Sequence, residues 1–275
     1  MILTLLSLLL YVPLSSEYRY LPEDTPGNNF NENTGHGRYT IKNEDRPYHA
    51  LVFYGTLYCS GVLITSRSVI TAASCFIPRL KQPCFVKLGA NFIQGKGQIL
   101  NVLEIKIHEF FGHLTEIDND IAMLILERHV DFEHGIQKAL IVESDIALRP
   151  GTSIEASGWA SQNIVGAKPY HMIWSQMRVI DQAKCQAIHR SLITHSNFCA
   201  SYVVERRLND NGGPITFKDL LIGIVSYAAH FNDTPNYAII SNVSYFNRWI
   251  TLNTKYFINK YCINGHETVE TFEDY

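Results

Sequence analysis

The chain has 275 residues, 46% of them hydrophobic, with 23 Lys and Arg against 26 Asp and Glu for a formal net charge of -3. That length and apolar share suffice for one large core or two packed ones. A balance this close to neutral, without basic runs, excludes nucleic acid and an anionic membrane surface as electrostatic partners.

Taken in chain order, the first element is an apolar run from Ile2 to Leu14 followed by Ser15 and Ser16. It is too short to span a bilayer and reads as a signal peptide over residues 1–16, so the protein is expected to be secreted and not membrane-bound. Residues 17–38 are polar, rich in Asn, Gly and Pro, and without cysteine. They read as an exposed, propeptide-like linker ending at the basic Arg38. From His49 to Ser74 the sequence is dense in β-branched and aromatic residues, with turn signals at Gly55 and at Ser66-Arg67-Ser68. Similar runs recur at Phe85–Leu88, Ile121–Leu126, Ser153–Ser157, Met177–Ile180, Leu221–Tyr227 and Tyr237–Val243. Many short strands predict an all-β sandwich or barrel. One helix is expected late, capped by Ser244, with Phe246, Trp249, Ile250 and Phe257 on one face. Residues 261–275 read as an acidic, solvated tail carrying Glu267, Glu270, Glu273 and Asp274.

Six cysteines in a secreted chain point to disulfides before metal. There is no Cys-x-x-Cys pair and no His-x-x-x-His spacing, so no metal and no cofactor are expected. Asn232-Asp233-Thr234 and Asn242-Val243-Ser244 are N-glycan acceptor sequences.

Five landmarks in order carry a family resemblance. They are Leu57-Tyr58-Cys59-Ser60-Gly61 leading to Ile70-Thr71-Ala72-Ala73-Ser74-Cys75, then Asp118-Asn119-Asp120-Ile121-Ala122, Ser157-Gly158-Trp159, Asn209-Asp210-Asn211-Gly212-Gly213-Pro214, and Gly223-Ile224-Val225-Ser226-Tyr227. Residues 39–260 thereby resemble the trypsin/chymotrypsin family of serine proteases. The resemblance implies two packed six-stranded antiparallel β-barrels with a C-terminal helix.

It also implies roles for individual residues. The carboxylate of the family's triad is Asp120, but its imidazole position is Ser74 and its nucleophile position Asn211. A serine hydroxyl is too weakly basic to replace imidazole, and an amide nitrogen is no useful nucleophile. The oxyanion-hole glycine corresponds to Asn209 and the pocket glycine to Asn236, while Glu205 lies near the pocket floor. Asp210 keeps the aspartate that pairs with a new amino terminus, yet cleavage after Arg38 would expose Tyr39-Thr40-Ile41, without the small residues that insertion needs. Cys59–Cys75 and Cys185–Cys199 match family bridges, and Cys84 and Cys262 are left to pair. No enzyme is therefore expected. The resemblance is to secreted, catalytically inactive homologues numerous in insects, which act as cofactor, decoy or scaffold for a protein or peptide partner, such as a protease or its substrate. Strand Ser226-Tyr227-Ala228 would take an extended peptide. The alternatives are a serine-type endopeptidase with displaced or residual activity, for instance through Ser74, and a structural component of a secretion.

Overall fold

A computed structural model describes residues 38–77, 81–142, 147–159, 171–189, 193–203, 210–228 and 237–261. The expected signal peptide, the expected linker before Arg38, the expected acidic tail beyond Tyr261, and Glu205, Asn209, Asn232, Asn236 and Cys262 lie outside these residues. The chain divides into compact units 1–34 and 35–275, and every described residue belongs to the second.

The expected β-rich sequence folds into two antiparallel barrels. In the first, β2 (His49–Tyr54), β3 (Leu57–Thr65), β4 (Ser68–Thr71), β5 (Cys84–Leu88), β6 (Gln98–Ile107) and β7 (Ala122–Leu126) close in the order β2-β3-β4-β7-β6-β5. Gly55, at φ +60°, turns β2 into β3, where a side chain would be strained. In the second barrel, β8 (Ser153–Trp159), β9 (Met172–Val179), β10 (Asn197–Tyr202), β11 (Pro214–Phe217), β12 (Leu220–Ala228) and β13 (Tyr237–Asn242) run β9-β10-β13-β12-β11-β8, and β8 pairs back onto β9. A further strand, β1 (Arg38–Thr40), pairs with β9 in the register Arg38 to Ser175. The Arg38–Tyr39 bond, the candidate cleavage point, thus lies within a strand.

Each barrel is filled by its inward side chains. Val52, Leu63, Val86, Leu88, Leu100 and Leu124 line the first, and Ile154, Met177, Ile215, Ile222, Val225 and Ile240 the second. Each such burial stabilises the fold by roughly 1.5–3 kcal/mol. A third cluster joins the barrels, with Ile70 and Met123 on one side and Leu221 and Ile224 on the other. Helix α2 (Val243–Tyr261) seals it with Phe246, Ile250 and Phe257, all at 4% exposure or less.

The face of α2 is the expected one, but its cap is not Ser244. Asn242 Oδ1 accepts from the backbone N–H groups of Ser244 and Tyr245 at 3.1 and 3.4 Å, and Ser244 Oγ donates to the Val142 carbonyl at 3.2 Å. The strand feeding the helix ends at Asn242, so the first side chain able to reach the open N–H groups is the amide. A second helix, α1 (Gln182–His189), escaped the sequence reading; Asp181 caps it through the N–H groups of Ala183 and Lys184. Strand β9 begins five residues before its expected start.

Cys59–Cys75 and Cys185–Cys199 are bonded, with Cα separations of 6.4 and 5.8 Å. Among the described residues Cys84 carries a free thiol, and Cys262, its expected partner, lies outside them. Cys84 opens β5 opposite Tyr54 and packs against the first core, where burial pushes its thiol up to about 12.

Candidate functional site

Asp120 is the centre of the site, and the turn before β7 places it. Asn119 adopts φ +52°, a left-handed conformation that asparagine tolerates better than most residues. The turn is pinned from the second barrel's side. Asp118 Oδ1 accepts from Thr194 Oγ1 at 2.8 Å and Ser196 Oγ at 3.1 Å, and Ser196 Oγ accepts from the Asn119 N–H at 3.0 Å. Ser241 Oγ donates to the Asp120 carbonyl at 2.8 Å.

With its backbone fixed, the Asp120 carboxylate sits fully buried where the barrels meet. Oδ1 accepts the Ser74 backbone N–H at 2.7 Å, and Oδ2 accepts the hydroxyls of Ser74 at 2.9 Å and Ser226 at 2.6 Å. Ser74 lies in a 3-10 turn (Ala73–Phe76) directly after β4. Ser226 is unpaired at a register shift in β12 between Val225 and Tyr227, which leaves its hydroxyl for the carboxylate. Burial raises Asp120 to about 6, although the hydrogen bonds from Ser226 and Ser74 pull the other way. At neutral pH it is an ionised carboxylate more basic than usual, holding a serine hydroxyl by its proton. Ser74 itself is half-buried and reaches solvent.

The loop carrying Asn211 is held by its glycines and by Asp210. Gly212, at φ +82°, donates to the Val225 carbonyl at 2.7 Å, and a Cβ there would meet the Ser60 carbonyl oxygen at 2.1 Å and Thr71 Oγ1 at 2.3 Å. The Asn211 carbonyl accepts from the Ser60 N–H at 2.9 Å and lies 4.0 Å from Cys75 Sγ, one residue beyond Ser74. Its side chain is half-buried. Asp210 turns inward: Oδ2 accepts the Trp159 N–H at 2.7 Å, and Ser60 adds a hydroxyl bond. Burial raises Asp210 to about 7. Gly158 is required beside it, since a Cβ would stand 2.4 Å from Oδ2.

Beyond Ser60 stands a histidine that the sequence reading passed over. His49 Nε2 is 2.8 Å from Ser60 Oγ and Nδ1 is 3.2 Å from Ser157 Oγ, with the Trp159 ring edge-on at 5.6 Å. Burial lowers it to about 3, so it is neutral throughout the physiological range. The signal was available as a histidine opening the otherwise aliphatic and aromatic strand His49-Ala-Leu-Val-Phe-Tyr. Of the expected site residues, the structure thus brings Ser74, Asp120 and Ser226 together and puts Asn211 and Asp210 on the adjoining loop. Tyr227 and Ala228 continue β12, pairing with Ile239 and Ala238.

Comparison with known proteins gives the same frame. The family model described as Trypsin matches residues 36–250, so Arg38 falls inside the matched region. Transmembrane protease serine 11C of Mus musculus is 29% identical over 207 residues, covering 71% of this chain and 48% of that protein, so the chain spans about half of that relative. Trypsin-3 of Homo sapiens is 29% identical over 70% of this chain and 63% of its own length, and Trypsin epsilon of Drosophila erecta is 25% identical over 78% and 85%. The solved structure of GrC superposes with a TM-score of 0.70 at 24% identity, covering 80% of this chain and 99% of that one, a likeness of fold alone.

The expectation that the chain is no enzyme does not survive these findings. It rested on the substituted positions Ser74 and Asn211, with Asn209, Asn236 and the terminus after Arg38 in support, but relatives across the match are named proteases, and the fold retains two hydroxyl contacts, Ser157 with the His49 imidazole and Ser74 with the Asp120 carboxylate. The first pair is closed to a polypeptide, His49 being 1% and Ser157 3% exposed. The second is open on the serine side.

Proposed function

The chain belongs to the trypsin family, and from that premise we propose that it is a secreted serine-type endopeptidase of low turnover that acts on extended polypeptides through Ser74. The observation that carries this is the Ser74 hydroxyl donating to Asp120 Oδ2 at 2.9 Å. Ser74 Oγ attacks the scissile carbonyl carbon while its proton passes to Asp120 Oδ2. The tetrahedral adduct collapses as the C–N bond breaks, and the leaving amine takes that proton. Water, losing a proton to Asp120 in turn, then releases the acyl group and restores the serine. Asn211 lies on the loop adjoining this site, and its N–H₂ would supply an oxyanion donor of the kind side-chain amides provide elsewhere.

Substrate placement follows from β12. Beyond the Pro214–Ile224 pair β11 no longer covers it, while β13 still pairs with Tyr227 and Ala228. Among the described residues, one edge of Ser226–Ala228 is left for an extended peptide to add as a strand. Secretion is supported by the apolar run at Ile2–Leu14 and the two disulfides. The polypeptide partner, a protease or its substrate included, would be met outside the cell. Without an imidazole base, turnover falls at least ~10³-fold below that of a full triad.

The test is covalent labelling of the secreted chain with a fluorophosphonate, before and after limited trypsin treatment, together with turnover of a mixed peptide library. Labelling maps to Ser74 and is lost in Ser74→Ala. Its rate rises with pH through about 6, because Asp120 must give up its proton to act as the base. No labelling and no turnover, or labelling that persists in Ser74→Ala, overturns the proposal.

A further inference from the structure

Asp210 is fully buried and its hydrogen-bond donors are neutral: the Trp159 N–H and the Ser60 hydroxyl. No ion pair among the described residues includes it. Ser60 also touches His49 Nε2, and His49 Nδ1 touches Ser157 Oγ, so four side chains form one unbranched line from the Asn211 loop through β3 and β2 to β8.

The chemistry of the four groups restricts how protons can be arranged along that line. An ionised carboxylate only accepts, so Ser60 must spend its single O–H on Asp210. Ser60 oxygen then accepts, which requires the N–H of His49 on Nε2, and Nδ1 accepts from Ser157. A protonated Asp210 can instead donate to Ser60. Ser60 then donates to Nε2, the imidazole proton moves to Nδ1, and Ser157 accepts. Both arrangements satisfy every group, and they point in opposite directions. No charge crosses the line, because the imidazole is neutral in each.

We propose that Asp210, Ser60, His49 and Ser157 form a reversible hydrogen-bond wire in which the tautomer of His49 follows the proton on Asp210, with His49 and Ser60 acting as positioning residues for the 210–214 loop. The wire holds that loop with neutral partners and so without an ammonium group. The change of direction falls near neutral pH, where burial has brought the Asp210 carboxyl. Among charged neighbours, Arg46 on the turn before β2 faces His49 and is itself paired with Glu155 of β8 and Asp219 of the β11–β12 turn. The elements against Asp210 contribute Gly158, Trp159, Ser60 and Gly213, none of them titratable. The consequence for activity rests on the placement of Asn211 proposed above, but the wire is read on His49 itself.

The experiment is ¹⁵N NMR of the imidazole nitrogens in the full, uncleaved chain between about pH 5 and about pH 8.5. The expected result is an Nδ1–H tautomer at the acid end and an Nε2–H tautomer at the alkaline end. In Asp210→Asn, which cannot titrate, and in Ser60→Ala, which breaks the line, the tautomer stays constant. Amide exchange at Gly213, whose N–H donates to the Asp210 carbonyl, supplies the loop readout. His49→Leu speeds it about tenfold or more, and His49→Gln, which keeps a donor and an acceptor, restores it. A tautomer that ignores pH in the wild-type chain, a change that survives Ser60→Ala, or equal exchange in the Leu and Gln variants overturns the proposal. None of these outcomes depends on whether Ser74 reacts.

Discussion

Replacing His49 by Gln removes one titrating group from the junction of the barrels while keeping a donor and an acceptor for Ser60 and Ser157. In the folded chain burial holds the imidazole near 3, against an ordinary value of 6.5. A group depressed in this way remains neutral when folded and gains a proton when unfolded, so acid favours the unfolded state from about 6.5 down to about 3. At about pH 5 the difference is about 1.5 units at 1.36 kcal/mol each, or roughly 2 kcal/mol of stability that the wild-type chain loses and the variant keeps. Asp210 and Asp120 work the other way. Their folded values of about 7 and about 6 lie above the ordinary carboxylate, so their contributions are fully present below about 4 and lost as pH rises through those values. Both proteins carry these two carboxyls, so their effect cancels in the difference. Urea unfolding of both chains at about pH 5 and about pH 7.5 measures it. The variant should lose about 2 kcal/mol less than the wild type on acidification. Curves that shift in parallel, within about 0.5 kcal/mol, would show that His49 is not held neutral by burial.

Other perturbations test neighbouring parts of the account. Phe246→Ala empties the site under α2 where a side chain 1% exposed joins the barrels, and should cost about 3–5 kcal/mol by thermal or urea unfolding. Gly212→Ala would put a methyl 2.1 Å from the Ser60 carbonyl oxygen at a positive φ. The loop must shift, and both fluorophosphonate labelling and stability should fall, whereas Gly151→Ala, also at positive φ but with open space around it, should show only the modest cost of backbone strain. Opening the Cys59–Cys75 bridge by replacing both cysteines with Ala should lower stability by about 3 kcal/mol for a loop of that length, read from the urea midpoint.

Much of the fold could be read along the chain because each barrel strand is a short β-branched or aromatic run ended by a turn. The six runs marked from Phe85 to Val243 each fall on a strand apart from the end residues Ile121, Ile180 and Val243, and the face of α2 follows from the spacing of Phe246, Ile250 and Phe257. Strand β6 was not among the marked runs, because polar Asn101, Glu104 and Lys106 interrupt its apolar residues. Helix α1 is weakly amphipathic, and only its Asp181 cap announced it. The site was legible position by position but not in its physics. A match of motifs identifies Ser74 and Asp120 as neighbours, yet nothing in the sequence says that burial makes that carboxylate more basic, or that Ser226 escapes its strand to share it. His49 and Ser157 are 108 residues apart and belong to different barrels, so their meeting is a product of packing alone.

The central claim is that Ser74, activated by Asp120, is a reactive hydroxyl. Intact-mass analysis and peptide mapping of the fluorophosphonate-treated chain test it most directly. The account predicts a single adduct on Ser74, formed faster above about pH 6 and absent from Ser74→Ala and greatly slowed in Asp120→Asn. A chain that remains unmodified at every pH, while cleaving no peptide, would contradict it.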